Sequence, residues 1–259
     1  MKRVKYLLLT LALLFTFSNV SLAQTELDSI LNKIFEQGGN LGKILVNFSM
    51  LSDQDEMSFG DMIAADFNTN VTLSNNGISR VEKIGNKLLK YVDRKTIEYK
   101  FRIIETDEIN AFAIAGGNVY VTTALLDFID NEDELAFVIG HEIGHVDRKH
   151  SALMIQALAL AYTVGGNDAE MIAGIAYKIL STPFTKYQEF DADQAGAYFT
   201  YNAGYDPYQA IKFFDKLSVK MEEEQQRQSS NNIDYIMRSH PWSSDRADRI
   251  KKYIESDLK

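Results

Sequence analysis

The 259-residue chain has no cysteine, only three prolines and one tryptophan, and just four histidines. Without cysteine there can be no disulfide staple, thiolate metal site, cysteine nucleophile or lipidated cysteine, although the redox compartment stays open. Three prolines and 15 glycines argue against a disordered or fibrous chain. Positive charge is also scarce: 27 Lys and Arg stand against 36 Asp and Glu, a formal net charge of −9. A protein that binds duplex needs a cationic face to displace counterions from phosphates, so nucleic acid is not an expected partner. What the chain does have is apolar content, 46% hydrophobic with 24% charged residues. That is enough core for one large domain or two small ones.

No apolar run reaches the ~20 residues that span a bilayer as a helix. The N-terminus carries Lys2, Arg3 and Lys5, a 12-residue apolar run from Tyr6 to Phe17, then Ser21-Leu22-Ala23. A basic start, a short apolar stretch and small residues at −3 and −1 predict a secretory signal over residues 1–23, cut before Gln24. An uncleaved membrane anchor is the alternative. Loss of the segment takes the net charge from −9 to −12, giving an exported, soluble, acidic protein.

Residues 24–50 show helical spacing through Leu27, Ile30, Leu31, Ile34 and Phe35, broken at Gly38-Gly39. They form an N-terminal helical segment ahead of a main domain over 51–259. Ser52 is a suitable N-cap for a helix through Phe59 and Ile63, and Ile78, Val81, Ile84, Leu88 and Val92 make the stripe of another. The period then changes to two. Thr96–Ile104, Ala111–Ala115 and Val119–Thr122 predict about three strands, the last two joined at Gly116-Gly117-Asn118. After Thr123 the pattern is helical. Asn131 and Glu134 open a helix running to about His150 or beyond. Ser151–Val164 is apolar but too short to span, so it is a buried helix or a lipid-facing surface. Helices over Ala169–Leu180, Thr185–Asn202 and Ser244–Glu255 follow, with Glu222–Asn232 as a linker. The fold class is α+β, mainly helical, with a small sheet.

Residues 141–145 read His-Glu-Ile-Gly-His. Four positions along a helix are about 40° apart around the axis, so His141 and His145 can address one ion from one face. Glu142, about 100° further round, lies where a general base for an activated water belongs. The rival reading makes both histidines hydrogen-bonded core groups, but burying two imidazoles and a carboxylate with no ion is costly. Arg148 and Ser151 stand where a metzincin has Gly and His. His150, about 140° round from His145, is expected to point away as a favourable group near a helix C-terminus. The remaining source of a third ligand is a later carboxylate. In Glu189-Phe190-Asp191-Ala192-Asp193, Glu189 and Asp193 share a helix face. Glu189 suits the third metal position, and Asp193 suits the N–H of a ligand histidine. Taken alone, such a pair is more often a solvated face. Small residues at Ala192, Ala195, Gly196 and Ala197 favour close helix packing instead.

The blocks Ser52–Gly60, Asn110–Thr123, His141–His145, Glu189–Gly196 and His240–Ile250, in this order, resemble the zinc metallopeptidases that include the CAAX prenyl protease and HtpX-type enzymes. These are gluzincins with an HExxH…ExxxD pattern. The likeness covers about three quarters of the chain and is greatest to the exported branch that degrades misassembled outer-membrane proteins. It implies a zincin-like fold whose edge strand lies beside the HExxH helix. It also implies one zinc per chain on His141, His145 and Glu189, with Glu142 as base. Asn110, Ala111, Phe112 and Ala113 match the substrate-binding edge strand, in keeping with strand addition by an extended peptide. His240 matches a histidine near the metal that polarises the scissile carbonyl or fills the open zinc position at rest. Arg246 matches an arginine that orients the loop or the oxyanion. Ile114-Ala115 departs from relatives that have a proline there.

The resemblance implies an endopeptidase acting on unfolded or misassembled proteins in the periplasm, with possible partners in outer-membrane assembly and peripheral membrane contact. A chaperone-like client-binding module with latent activity is the rival reading.

Overall fold

A computed structural model describes residues 52–152, 183–227, 240 and 245–258. The signal segment, the 24–50 segment, the Ser151–Val164 helix beyond residue 152 and the Ala169–Leu180 helix lie outside the described residues. The described residues belong to one compact unit, Leu51–Lys259. Among them the elements run α1 (Asp53–Asn68), β1 (Leu73–Ser74), α2 (Ile78–Leu88), β2 (Lys100–Ile104), β3 (Ala111–Ile114), β4 (Asn118–Thr122), α3 (Thr123–Phe128), α4 (Glu132–Asp147), α5 (Lys186–Asn202), α6 (Gln209–Arg227) and α7 (Asp245–Asp257). None of these helices is long and apolar enough to cross a membrane.

The sheet has four strands in the order β1-β2-β4-β3, one more than the sequence suggests. The extra strand is two residues long, too short for any alternation to register. β4 is antiparallel to β3 and parallel to β2, with Phe101 opposite Val119 and Ala113 opposite Val119 on the other side. Every residue of β4 is buried, as befits the strand with helices on both faces. The first predicted strand begins only at Lys100, because its ladder opens with the Lys100 N–H donating to Gly117 O at 2.8 Å. Residues 94–97 are instead occupied in local turn bonds.

The helix α1 fixes the far end of the β3–β4 hairpin. Ser52 caps it, accepting from the Asp55 N–H at 3.1 Å. Arg94 pairs with Asp53 at 2.6 Å and Glu56 at 2.5 Å, and Glu56 Oε1 also accepts from the Gly116 N–H at 3.2 Å. A Cβ on Gly60 would lie 1.8 Å from Ala115 O, so only glycine lets α1 sit directly on the turn. Gly116 and Gly117 turn the chain with φ of 77° and 95°, which a side chain disfavours.

The central helix is α4, buried from Glu134 to Asp147. Asn131 caps it by accepting from the Glu134 N–H at 2.9 Å. It stops at Asp147, short of the expected His150. Lys149 adopts φ 60°, its N–H donates to Val146 O at 3.0 Å, and the His150 N–H reaches back to His145 O at 2.9 Å. This is a left-handed C-cap built without glycine. Two other boundaries move: α2 ends at Leu88 with Val92 buried in the following loop, and α6 runs to Arg227 through the first half of the expected linker.

Candidate metal centre

Helices α4 and α5 meet backbone to backbone. A Cβ on Gly140 would lie 3.1 Å from Gly196 O, and one on Gly144 would lie 3.0 Å from the Ala195 Cβ. The capping box of α5, Thr185 with Gln188, starts that helix so that Glu189 falls in its first turn. The close approach brings the Glu189 carboxylate to the paired rings. Glu189 Oε2 is 3.6 Å from His141 Nε2, and Oε1 is 3.5 Å from His145 Nε2. The two Nε2 atoms face each other at 3.0 Å.

His240 completes the cluster. Its Nδ1 lies 3.3 Å from His141 Nε2 and 3.1 Å from Glu189 Oε1. His141, His145, Glu189 and His240 each offer one ligand atom within 4.8 Å of all the others, and all four are buried. Glu142 is 2% exposed and stands beside this group, with Oε1 3.5 Å from His240 Nε2. Its Oε2 is buried without a hydrogen-bond partner.

This donor set fits a divalent cation. Two imidazole nitrogens 3.0 Å apart, with a carboxylate and a third imidazole converging on the same point, offer one ion four donor atoms within 4.8 Å of one another. Two or three nitrogens and a carboxylate oxygen are the ligands zinc takes in tetrahedral sites. Glu142 is adjacent but is not one of the four.

Arg246 and Asp193 form the layer behind the ligands. Asp193 Oδ1 is 2.9 Å from His141 Nδ1. Arg246 donates to Asp193 through Nε at 2.8 Å and a terminal nitrogen at 2.6 Å, and its other terminal nitrogen is 2.8 Å from Glu189 Oε2. The guanidinium therefore binds two carboxylates at once, the geometry in which Arg is least replaceable by Lys.

The electrostatics follow from burial opposed by pairing. Burial pushes the Glu142 carboxyl above its ordinary value, with His240 and His141 opposing it. Burial would also raise Glu189, but His240, His145 and Arg246 outweigh it and hold the carboxyl well below its usual range. His145 is driven well below its ordinary value, chiefly by burial. Burial alone would lower His240, yet Glu189 and Glu142 push it up to about 9. A cation bound among these groups would compete with protons for the same lone pairs.

The four residues Asn110–Ala113 lie at the sheet edge beside α4. β3 is the outermost strand, with no partner on its outer side among the described residues. Ala111 belongs to the core shared with α4, whereas Phe112 faces the other side and stacks on Tyr120 at 4.9 Å. A narrow apolar cleft runs from Ala111 past Phe137, Val138, Phe213, Phe214 and Leu217, and opens onto His141, Glu142 and His240.

One expectation is corrected. His150 does not point away: its Nδ1 is 3.1 Å from His145 Nδ1 and its Nε2 3.2 Å from Asp191 Oδ2. The angular estimate assumed an unbroken helix, and the left-handed Lys149 swings the side chain back. The sequence reading also missed Phe184, whose ring stacks on His145 at 3.8 Å between centroids.

Residues 77–254 match the model for peptidase family M48, and the chain belongs to that family. It is 30% identical over 214 residues to the beta-barrel assembly-enhancing protease of Escherichia coli K12, covering 74% of this chain and 42% of that protein. It is 27% identical over 221 residues to the metalloprotease LoiP of the same organism, covering 80% and 83% of the two chains. The mitochondrial metalloendopeptidase OMA1 of Saccharomyces cerevisiae is 26% identical over 168 residues, 61% of this chain and 48% of that one. This chain spans about two fifths of the length of the assembly-enhancing protease.

Proposed function

We propose that this protein is a zinc-dependent metalloendopeptidase that hydrolyses internal peptide bonds of unfolded or misassembled envelope proteins. The observation that carries the reading is the convergence of His141, His145 and Glu189 beside an unpartnered, buried Glu142 oxygen. His141, His145 and Glu189 would hold zinc, one ion per chain. Bound zinc supplies Lewis acidity, which lowers the pKa of a water and polarises a carbonyl.

The protein's own groups do the rest. Glu142, buried beside the ligand cluster with one oxygen unpartnered, accepts the proton of the attacking water and hands it to the leaving amine. The sheet-edge residues Asn110–Ala113, the last three of them in β3, hold the substrate backbone as an added strand. The apolar cleft beside Glu142 receives an apolar side chain next to the scissile bond. His240 stands within the ligand cluster at rest and moves aside to meet the substrate carbonyl. Arg246 orients the carboxylates of Asp193 and Glu189.

The relative's name, beta-barrel assembly-enhancing protease, supports clients among beta-barrel proteins and contact with their assembly machinery. The basic start, short apolar run and small residues over residues 1–23 support an exported, periplasmic location, with peripheral membrane contact. The client-binding alternative gives Glu142 no task. Cleavage of unfolded casein, abolished by a chelator and restored by zinc, tests the proposal. Cleavage that survives complete removal of metal would overturn it.

A further inference from the structure

Both ligand histidines have their far ring nitrogens held, by different means. His141 Nδ1 meets a carboxylate directly, Asp193 Oδ1 at 2.9 Å. His145 Nδ1 instead meets a second imidazole, His150 Nδ1 at 3.1 Å, and His150 Nε2 lies 3.2 Å from Asp191 Oδ2. His145 and His150 are buried, and the Phe184 ring covers one face of His145. The Asp191 side chain is about one third exposed, at 32%.

Counting protons leaves one arrangement. If His145 Nε2 gives its lone pair to a cation, its single proton sits on Nδ1 and needs an acceptor. Among the described residues, the ring atom facing it is His150 Nδ1, at 3.1 Å, which must then be unprotonated. The proton of His150 is therefore on Nε2, where Asp191 accepts it. With the cation in place, a proton on His150 Nδ1 would face the His145 Nδ1–H at 3.1 Å.

We propose that His150 is a positioning residue for the metal centre: it accepts from His145 Nδ1–H, and Asp191 fixes its tautomer. Helix α5 then serves the centre three times in five residues, through Glu189 as ligand, Asp193 behind His141, and Asp191 behind His145 by way of His150. The inference rests on the reading of His141, His145 and Glu189 as zinc ligands. A structural role for residue 150 is separable from it. The backbone N–H of His150 closes the α4 cap whatever side chain it carries, so substitution leaves the cap bonds in place.

The test is zinc affinity of the full chain, by competition with a chromophoric chelator, together with the visible absorption of the cobalt(II) form. Tight one-to-one binding by the parent, lost in His141→Ala, checks the ligand reading on its own. Partners of metal-bound histidines contribute about 10–100-fold to affinity. His150→Leu is accordingly expected to weaken zinc about 10–100-fold and to shift the cobalt bands. His150→Asn places a carbonyl oxygen near the lost Nδ1 and should recover much of that loss. Asp191→Asn, at a partly exposed position that tolerates change, should weaken zinc less than His150→Leu does. Parent-like affinity and cobalt spectra in both His150→Leu and Asp191→Asn would overturn the proposal while leaving the ligand set intact. So would His150→Asn as weak as His150→Leu, because the acceptor would then be irrelevant.

Discussion

The α-carbon of Gly196 lies so close to His141 that a Cβ added there would sit 2.8 Å from the His141 backbone nitrogen. This contact limits how near α5, and with it Glu189, comes to the paired histidines. Gly196→Ala is expected to push α5 outward, lower stability by about 1–3 kcal/mol as overpacking does, and weaken zinc binding along with it. Urea denaturation and chelator competition check both effects. Unchanged values for both would show that the backbone approach does not position Glu189.

Glu142→Gln keeps the side chain's size and removes the base. Because Glu142 is not among the ligand atoms, the variant should retain one zinc per chain. General acid–base catalysis is worth about 10²–10⁴-fold, and casein hydrolysis should fall by at least that range. Full activity with normal metal content would show that another group moves the proton.

Arg246 is 4% exposed and binds two carboxylates that are themselves buried. Arg246→Met should destabilise the metal-free protein by about 3–5 kcal/mol, the cost of leaving buried charge unpaired. Bound zinc should restore part of the loss, because the cation neutralises Glu189, one of the two carboxylates. Chemical denaturation with and without zinc measures the difference.

Acid stability should depend on Asp53. Burial would raise its carboxyl, but hydrogen bonds from Thr96 and Arg94 outweigh it and hold the pKa below the ordinary value. A lowered folded-state pKa contributes stability that is complete above the unfolded value of about 3.9 and is lost as pH falls through the folded value. Asp53→Asn should therefore flatten the stability profile of the metal-free protein below pH ~4. An unaltered acid limb would mean that the Asp53–Arg94 pair does not contribute.

Much of the site is legible in the sequence because its logic is periodic. His141 and His145 share a helix face by arithmetic, and Glu189 and Asp193 do the same on a later helix. The small residues around Gly196 announce that the two helices touch. The predicted hairpin at Gly116-Gly117 is present because two left-handed positions call for glycine there. What escapes is whatever breaks the period. Lys149 takes a left-handed conformation with no glycine to mark it, so the place of His150 is invisible until the chain is folded. β1 has too few residues to alternate. The double grip of Arg246 depends on α7 crossing α5, a contact between positions 53 residues apart.

The most direct measurement is metal content joined to activity. The purified protein should carry one zinc per chain, lose casein cleavage when the ion is stripped, and regain it on adding zinc. A protein that binds no zinc at His141, His145 and Glu189, or cleaves equally well without it, would contradict the account.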